Sequence, residues 1–311
     1  MEANDSSVLG KRRSDHEDHD GRIEARFDAG LRANQEEAAH RHTLLVGVLP
    51  TLLLQCRGAS PDALSWGAVV RDPDGVAQAY GARRQRERWI AVPGAAHFRF
   101  LLGGNKVDGF PIDSAPHQMV LDAYYGTALP LVLQAQGFEA LHASAVETSR
   151  GVSAFCAISG VGKSTLATAL SRRGHGFWAD DVVLLEPRLN ARVLCRRLPP
   201  VPGLEAHASE VPGRDRSSGV APLAALALLG RHAAKGQHVI VRRLPIGEAF
   251  ARVLEHAHSF DPSDRDRRRA MSANYLQVVG DVPVFEVSFR PGARYFDAVI
   301  ETVEETVLAG R

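Results

Sequence analysis

The sequence predicts an α/β domain in its C-terminal part, preceded by a small β-rich module and a charged N-terminal tail. Three observations predict it. A glycine loop, Ser159-Gly160-Val161-Gly162-Lys163-Ser164-Thr165, stands between an apolar run and a stretch of helical period. Upstream, short apolar runs recur with Gly, Pro, Asn and Asp between them. Residues 1–43 are dense in Arg, Asp, Glu and His and poor in large apolar side chains. Strand, glycine loop, helix and strand in succession mark a sheet layered with helices, whereas closely spaced short strands mark a β-rich module.

Residues 1–43 are expected to be a flexible charged tail. Ile23, Phe27 and Leu31 are spaced four apart, which allows a short docking helix within it. The cluster His16-Glu17-Asp18-His19-Asp20 reads as a metal site or as a solvated charge run, and the absence of a rigid frame in the pattern favours the second. The β-rich module is expected over residues 44–130. Leu44–Leu54 is apolar, and Leu64–Val70, Arg88–Val92 and Phe98–Leu102 follow as short strands. Asp72-Pro73-Asp74-Gly75 and Gly103-Gly104-Asn105 are turns. Arg83, Arg84, Arg86 and Arg88 form a basic run on a loop leading into a strand, a solvated face. Ala115–Tyr125 has helical texture.

Residues 131–311 carry the α/β pattern. Leu131–Gln136 is an expected helix, Leu141–Glu147 and Val152–Ile158 are strands, and Lys163–Arg173 is a helix stopped by Gly174. Phe177–Leu185 is the next strand. Val239–Leu244 (strand), Gly247–His256 (helix), Arg267–Val279 (helix), Val284–Phe289 (strand) and Arg294–Val307 (helix) complete the domain. Arg265-Asp266-Arg267-Arg268-Arg269 reads as a solvated helix start. Phe296, Val299, Ile300, Val303 and Val307 form the buried stripe of the last helix.

Composition excludes several classes. A hydrophobic fraction of 45% argues against a chain disordered throughout. Lys+Arg number 37 and Asp+Glu 36, a net charge of +1, and aromatics are 6%, so neither a bulk basic field nor stacking platforms point to nucleic acid. No apolar run reaches the roughly 20 residues of a membrane helix. The N-terminus is too charged for a signal peptide. Cys56, Cys156 and Cys195 form no C-x-x-C pair, so they read as small buried hydrophobes in a reducing compartment. The expected location is cytoplasmic.

The glycine loop carries the chemistry. Gly160 and Gly162 let the backbone curl so that successive N–H groups face one concavity, and the following helix adds its N-terminus. Lys163 reaches the β- and γ-phosphates of a bound nucleotide, and the Ser164 hydroxyl is placed to ligate Mg²⁺. Ala157 replaces the first glycine of the full motif, a mild departure. Glycines flanking Ser159, which a serine-hydrolase elbow needs, are Ala157 and Val161 here.

Asp180-Asp181 sits in the apolar stretch Phe177–Leu185. Two adjacent carboxylates there are costly unless a cation or a proton-accepting role compensates. Strand alternation turns them to opposite sides, one to a metal or a cap, the other to the γ-phosphate; a capping pair at a strand start is the alternative. Lys163 lies 21 positions after His142, and Asp181 lies 18 positions after Lys163.

The strand histidine, the Gly-Val-Gly-Lys-Ser loop, Arg173-Gly174-His175 and Ala179-Asp180-Asp181 together resemble the catalytic domain of HPr kinase/phosphorylase. Leu141-His142-Ala143-Ser144-Ala145 and the Ser164-Thr165 loop ending resemble more closely the HPr-kinase-like serine kinases of lasso peptide and related peptide-maturation clusters. The resemblance is strong over residues 137–187 and looser to the C-terminus. It implies an α/β phosphate-loop kinase domain of HPr-kinase-like type. It also implies ATP and Mg²⁺ as cofactors and a protein or precursor peptide bearing an acceptor serine as partner. Asp181 would be the base, with Lys163 and His142 stabilising charge at the γ-phosphate. Ser164 and Asp180 would serve the metal, and Ser159–Thr165 would cradle the phosphates. The resembling family often assembles, which makes a homo-oligomer an expectation.

Two family segments are absent. The Glu-Ile-Arg-Gly-type loop is replaced by Leu198–Glu205, which puts phosphorolysis in doubt and leaves Glu205 or Glu210 as substitutes. In place of the later Arg-Pro-Gly-Arg segment, Arg242-Arg243 is a phosphate contact or a surface pair. Three functions remain open on the residues: a serine kinase, a phosphate-loop NTPase or small-molecule kinase, and a non-catalytic nucleotide-sensing module.

Overall fold

The computed structural model describes residues 50–55, 64–71, 74–112, 115–187, 191–198, 219–232, 238–261 and 263–311. The tail expected over 1–43, the His16–Asp20 cluster, Cys56, the Asp72-Pro73 turn and Glu205 and Glu210 lie outside them.

The first sheet contains β1 (Thr51–Leu54), β2 (Gly67–Arg71), β3 (Ala77–Arg84), β4 (Glu87–Val92), β5 (Ala96–Leu101) and β6 (Lys106–Pro111). Its order is β1-β6-β5-β4-β3-β2, and every pairing except β1–β6 is antiparallel. Two of these strands are unexpected. The basic run around Arg83 is not a loop before one strand: Arg83 and Arg84 end β3, and Arg88 pairs across a tight hairpin with Arg83. β6 contains Asp108, Gly109 and Pro111, residues that normally end strands. Gly109 has a packing reason, because a Cβ there would lie 2.9 Å from a Leu52 methyl. Trp89 stacks on Phe110 at 5.7 Å, and the Arg99 guanidinium lies over both rings.

The helical stretch near Ala115 is longer than expected. α1 (His117–Ala123) passes through a π turn, Tyr124–Ala128, into α2 (Leu129–Ala135). The buried Tyr124 hydroxyl donates to the Pro50 carbonyl at 2.8 Å, and its ring lies 5.7 Å from Phe98.

The second sheet holds β7 (Glu139–Thr148), β8 (Gly151–Cys156), β9 (Gly176–Ala179), β10 (Val182–Glu186), β11 (Leu194–Arg196), β12 (Val220–Arg231), β13 (Val239–Arg243) and β14 (Val284–Phe289). The order is β11-β10-β7-β8-β12-β14-β13, with β9 also paired to β7. β8, β12 and β14 run parallel, while β7 and β13 are antiparallel to their neighbours. α3 (Lys163–Arg172) and α6 (Phe296–Thr302) pack on one face with Phe155, Ala227 and Val287. α4 (Ile246–Leu254) and α5 (Arg265–Asp281) pack on the other with Ala154, Cys156 and Leu228. Residues 154–156 thus alternate between two cores, as a strand buried on both faces must. The described residues form a mixed α/β structure with two sheets.

Three expectations change. The strand Phe177–Leu185 is two strands, β9 and β10, broken at Asp180-Asp181. The last helix starts as a 3₁₀ turn at Ala293–Tyr295 and ends as a π turn at Val303–Leu308, with the expected stripe partly or fully buried. Arg267 is not solvated: it pairs with the wholly buried Glu139 at 2.7 Å, tying α5 to β7. Arg242 is held in a surface ion cluster with Glu248 and Glu286, at 2.6 and 2.8 Å, which matches the surface-pair alternative. Cys156 and Cys195 are free and fully buried; burial pushes the Cys156 thiol up to about 12 and raises Cys195 as well, so both are inert packing groups.

Candidate active site

β8 ends at Cys156 and the chain turns through 157–162 into α3. Gly160 and Gly162 have φ of 78° and 122°, and a Cβ at either would meet nothing within 4 Å. Conformation, not space, therefore requires glycine at both. Gly162 caps α3 without any side-chain hydrogen bond, so the first-turn N–H groups of Lys163, Ser164 and Thr165 are directed at the loop's concavity. Ile158, Ser159 and Gly160 are exposed around it, and Val161 is half-buried against the α3 core. Arg231, at the end of β12, donates to the Gly160 carbonyl and braces the loop from the side.

Lys163 is buried. Its Nζ donates to the Ala157 carbonyl at 3.0 Å and to His142 Nε2 at 3.0 Å. Ala157, at the position where the full motif has glycine, thus serves through its backbone oxygen. Burial lowers the Lys163 pKa, and Asp181 and Asp180 pull it back up. His142 lies on β7, and its Nδ1 is 3.1 Å from the Asp181 carbonyl oxygen. A carbonyl only accepts, so Nδ1 carries the proton and Nε2 offers its lone pair to the Lys163 ammonium. Burial and the Lys163 charge both lower the His142 pKa, in keeping with that neutral tautomer.

The break between β9 and β10 brings two neighbouring carboxylates to one site. Asp181 has φ 68°, the left-handed region that Asp tolerates better than most residues. This turn removes the strand alternation that would have sent Asp180 and Asp181 to opposite faces. Asp180 Oδ1 accepts from Ser144 Oγ at 2.5 Å, from Ser164 Oγ at 2.7 Å and from the Asp181 amide at 3.1 Å. The Asp181 carbonyl is bonded by the Ala143 amide at 3.1 Å, fixing the turn to β7. The Asp181 carboxyl is raised above its ordinary range by burial first and by Asp180 second, while His142 and Lys163 draw it down. His142, Lys163, Ser164, Asp180 and Asp181 therefore converge, and Thr165 lies one residue further along α3, exposed beside them.

Ser164 Oγ and Asp180 Oδ1 are two hard oxygen donors 2.7 Å apart at the mouth of the loop. That donor set suits Mg²⁺, which takes one or two protein oxygens and completes its shell with phosphates and water. No cluster of three or more His, Cys, Asp or Glu occurs among the described residues, so a metal caged wholly by such side chains is not built there.

Sequence reasoning missed four contributors. Ser144 is fully buried two residues after His142, on the same side of β7; period-two spacing was the available signal. His256 and His258 flank a β-bridge between Ala257 and Leu141, and the His142 amide donates to the His256 carbonyl at 2.8 Å. The His142 and His258 rings meet edge to face at 6.3 Å. Arg231 had no sequence signal, because its strand was not expected.

No family model matches the chain, and no curated protein matches it. Among solved structures, the Hpr(Ser) kinase/phosphatase from Coxiella burnetii is similar at 15% identity, with 53% of this chain and 88% of that chain covered and a TM-score of 0.34. No helix among the described residues is long and apolar enough to cross a membrane.

Proposed function

We propose that the protein is a cytoplasmic ATP-dependent kinase that transfers the γ-phosphoryl group to a serine hydroxyl of a protein or ribosomal precursor peptide. One observation carries the reading: the chain break at Asp180-Asp181 sets one carboxylate on Ser164 and the other beside Lys163 and His142. Two carboxylates with distinct partners let one serve the metal while the other takes the proton of the attacking hydroxyl. The motif resemblance over residues 137–187 supports the same reading.

The loop amides of Gly160–Thr165 hold the β- and γ-phosphate oxygens at the positive end of α3. A cavity of about 360 Å³ opens from Gly160–Gly162 toward Arg231, Phe289, Arg290 and Phe296, and we assign the base and ribose to it. Ser164 and Asp180 would hold Mg²⁺, which would supply neutralisation of the phosphate charge. Asp181, in its ionised form, accepts the proton of the serine hydroxyl. The serine oxygen forms the new bond to the γ-phosphorus while the bond to the β–γ bridging oxygen breaks, giving phosphoserine and ADP. Lys163 moves from the Ala157 carbonyl to the transferring phosphoryl oxygens and neutralises their charge, and His142 orients it through Nε2. A raised carboxyl pKa makes Asp181 a stronger base than an ordinary aspartate.

The test uses purified full-length protein, Mg²⁺ and ATP labelled at the γ-phosphate, with candidate peptides and proteins present. Label recovered as phosphoserine, lost in Asp181→Asn while ATP still binds, supports the proposal. Label released only as inorganic phosphate, with every candidate unmodified, overturns it.

A further inference from the structure

Two cavities adjoin β2. One, of about 580 Å³, lies between Ala68–Arg71, the His142 and Ile158–Ser159 segments, and Glu255–His258. The other, of about 590 Å³, runs from Ala68 and Val69 past Trp66 and Arg83 to Phe260 and Asp261. They share Ala68 and Val69, so together they form a groove with β2 as one wall and the chain between α4 and α5 as the other. One end of the groove opens at His142, which touches both Lys163 and Asp181.

β2 closes the order of its sheet, and β3 is its strand partner among the described residues. An outer strand presents a row of backbone N–H and C=O groups for a further strand. The β2–β3 register slips on both sides of Val70, where Ala68 faces Tyr80, Val70 faces Ala79 and Arg71 faces Ala77. Such irregularities recur at sheet edges and next to active sites, where they re-aim the strand.

The lining also speaks for a peptide over a small charged metabolite. Ile158 is 67% exposed on the loop itself, facing the same cavity as Val70 and Ala257. Burial lowers the pKa of His256 and His258, His258 down to about 4, so these two histidines add no positive charge to the wall. Arg71 and Glu255 at the rim are of opposite sign.

We propose that this groove takes the acceptor as an extended polypeptide segment, added as a strand outside β2, with its serine delivered at the His142 end. The inference rests on the kinase reading above and names the class of its acceptor. The five residues of β2 match an acceptor stretch of about five residues, roughly 17 Å long. Backbone bonds to β2 supply affinity, and alternate side chains meet Ile158, Val70 and Ala257.

The experiment uses the unmodified full chain with Mg²⁺, γ-labelled ATP and a degenerate library of short peptides, each with one central serine. A phosphorylated member is then resynthesised with single backbone N-methyl groups along its length. Amide hydrogen exchange of Ala68–Arg71 is read with and without that peptide. The expected result is exchange slowed about tenfold or more at β2, and kcat/KM lowered about tenfold at every second N-methyl position, through KM. Phosphorylation with unchanged β2 exchange and no alternation overturns the groove and leaves the kinase reading standing. Transfer to free serine or another small alcohol, with none to any peptide, overturns the acceptor class and the groove. Failure to bind ATP overturns the kinase reading and, with it, this inference.

Discussion

Arg267→Ala is predicted to destabilise the protein strongly, and more at neutral than at acid pH. Arg267 Nη1 donates to Glu139 Oε1 at 2.7 Å, Nε to the Gln134 carbonyl at 3.0 Å, and Nη2 to the Phe138 carbonyl at 2.7 Å. Glu139 is wholly buried, Oε1 also accepts from Asn274 at 2.7 Å, and Oε2 is buried without a hydrogen-bond partner. With an effective dielectric of about 20, charges at that separation attract by about 6 kcal/mol, a ceiling before desolvation is subtracted. Removing one partner of a buried pair usually costs about 3–5 kcal/mol. At about 2–4 °C per kcal/mol for a domain of this size, Tm falls by roughly 6–20 °C.

The pH dependence follows from the carboxyl. Burial already raises Glu139, and the guanidinium pulls it part of the way back. Without Arg267 its folded-state pKa rises further above the unfolded value. A carboxyl raised by folding costs least below its unfolded pKa, where both states are protonated. The cost grows as pH climbs through the window between the two values. Thermal unfolding followed by circular dichroism at pH 7 and near pH 4–5 reads the difference, with the parent measured at both. Glu139→Gln in the Arg267→Ala background restores part of the loss at pH 7, because a neutral amide needs no counter-charge. A variant with parental Tm, or an equal loss at both pH values with no rescue, refutes the reasoning.

Asp181→Asn lowers phosphoryl transfer by about 100- to 10,000-fold, the usual range for removing a general base, while ATP affinity measured by calorimetry stays within a few fold. Because burial and Asp180 raise the Asp181 carboxyl in the nucleotide-free site, the acid limb of the kcat/KM profile, which reports the free enzyme, lies above the usual aspartate value; a limb at or below that value contradicts the assignment. Gly162→Ala places a side chain at φ 122°, a strain of about 1–3 kcal/mol, so Tm falls by roughly 2–12 °C at the conversion used above, and nucleotide affinity drops by about tenfold or more as the loop relaxes; parental affinity would falsify the role given to the loop's curvature.

The fold was legible where side-chain period and backbone role agree. The glycine loop, its helix, the β7–β8 pair and the strand at Val284 all follow local rules. β12 was not legible. Its sequence, Val-Ala-Pro-Leu-Ala-Ala-Leu-Ala-Leu-Leu-Gly-Arg, is rich in helix formers, yet it lies between β8 and β14 and is buried along most of its length. Small and aliphatic residues suit a strand covered by helices on both faces, and tertiary context outweighs the roughly 1 kcal/mol or less of intrinsic preference at each position. β3 failed for the opposite reason, since Ala79 and Ala82 bury faces too small to register as an apolar run.

The site divides along the same line. That Lys163, Ser164, Asp180, Asp181 and His142 come together was legible from the glycine loop, the acidic pair and the motif resemblance. Their geometry was not, because it depends on a defect. Two acidic residues inside an apolar stretch look like a strand carrying carboxylates on opposite faces. The chain instead breaks there, with Asp181 in the left-handed region and the break held to β7 through the Ala143 amide. Ser144, buried on β7, then becomes the partner that fixes Asp180. The strand that presents His142 thus also presents the clamp for the carboxylates. Displacing β7 by even an ångström would disturb the Lys163–His142 and Ser144–Asp180 bonds together. That coupling gives Arg267 and Glu139 a functional consequence: they touch no catalytic group, yet they anchor the first residue of β7, three positions before His142.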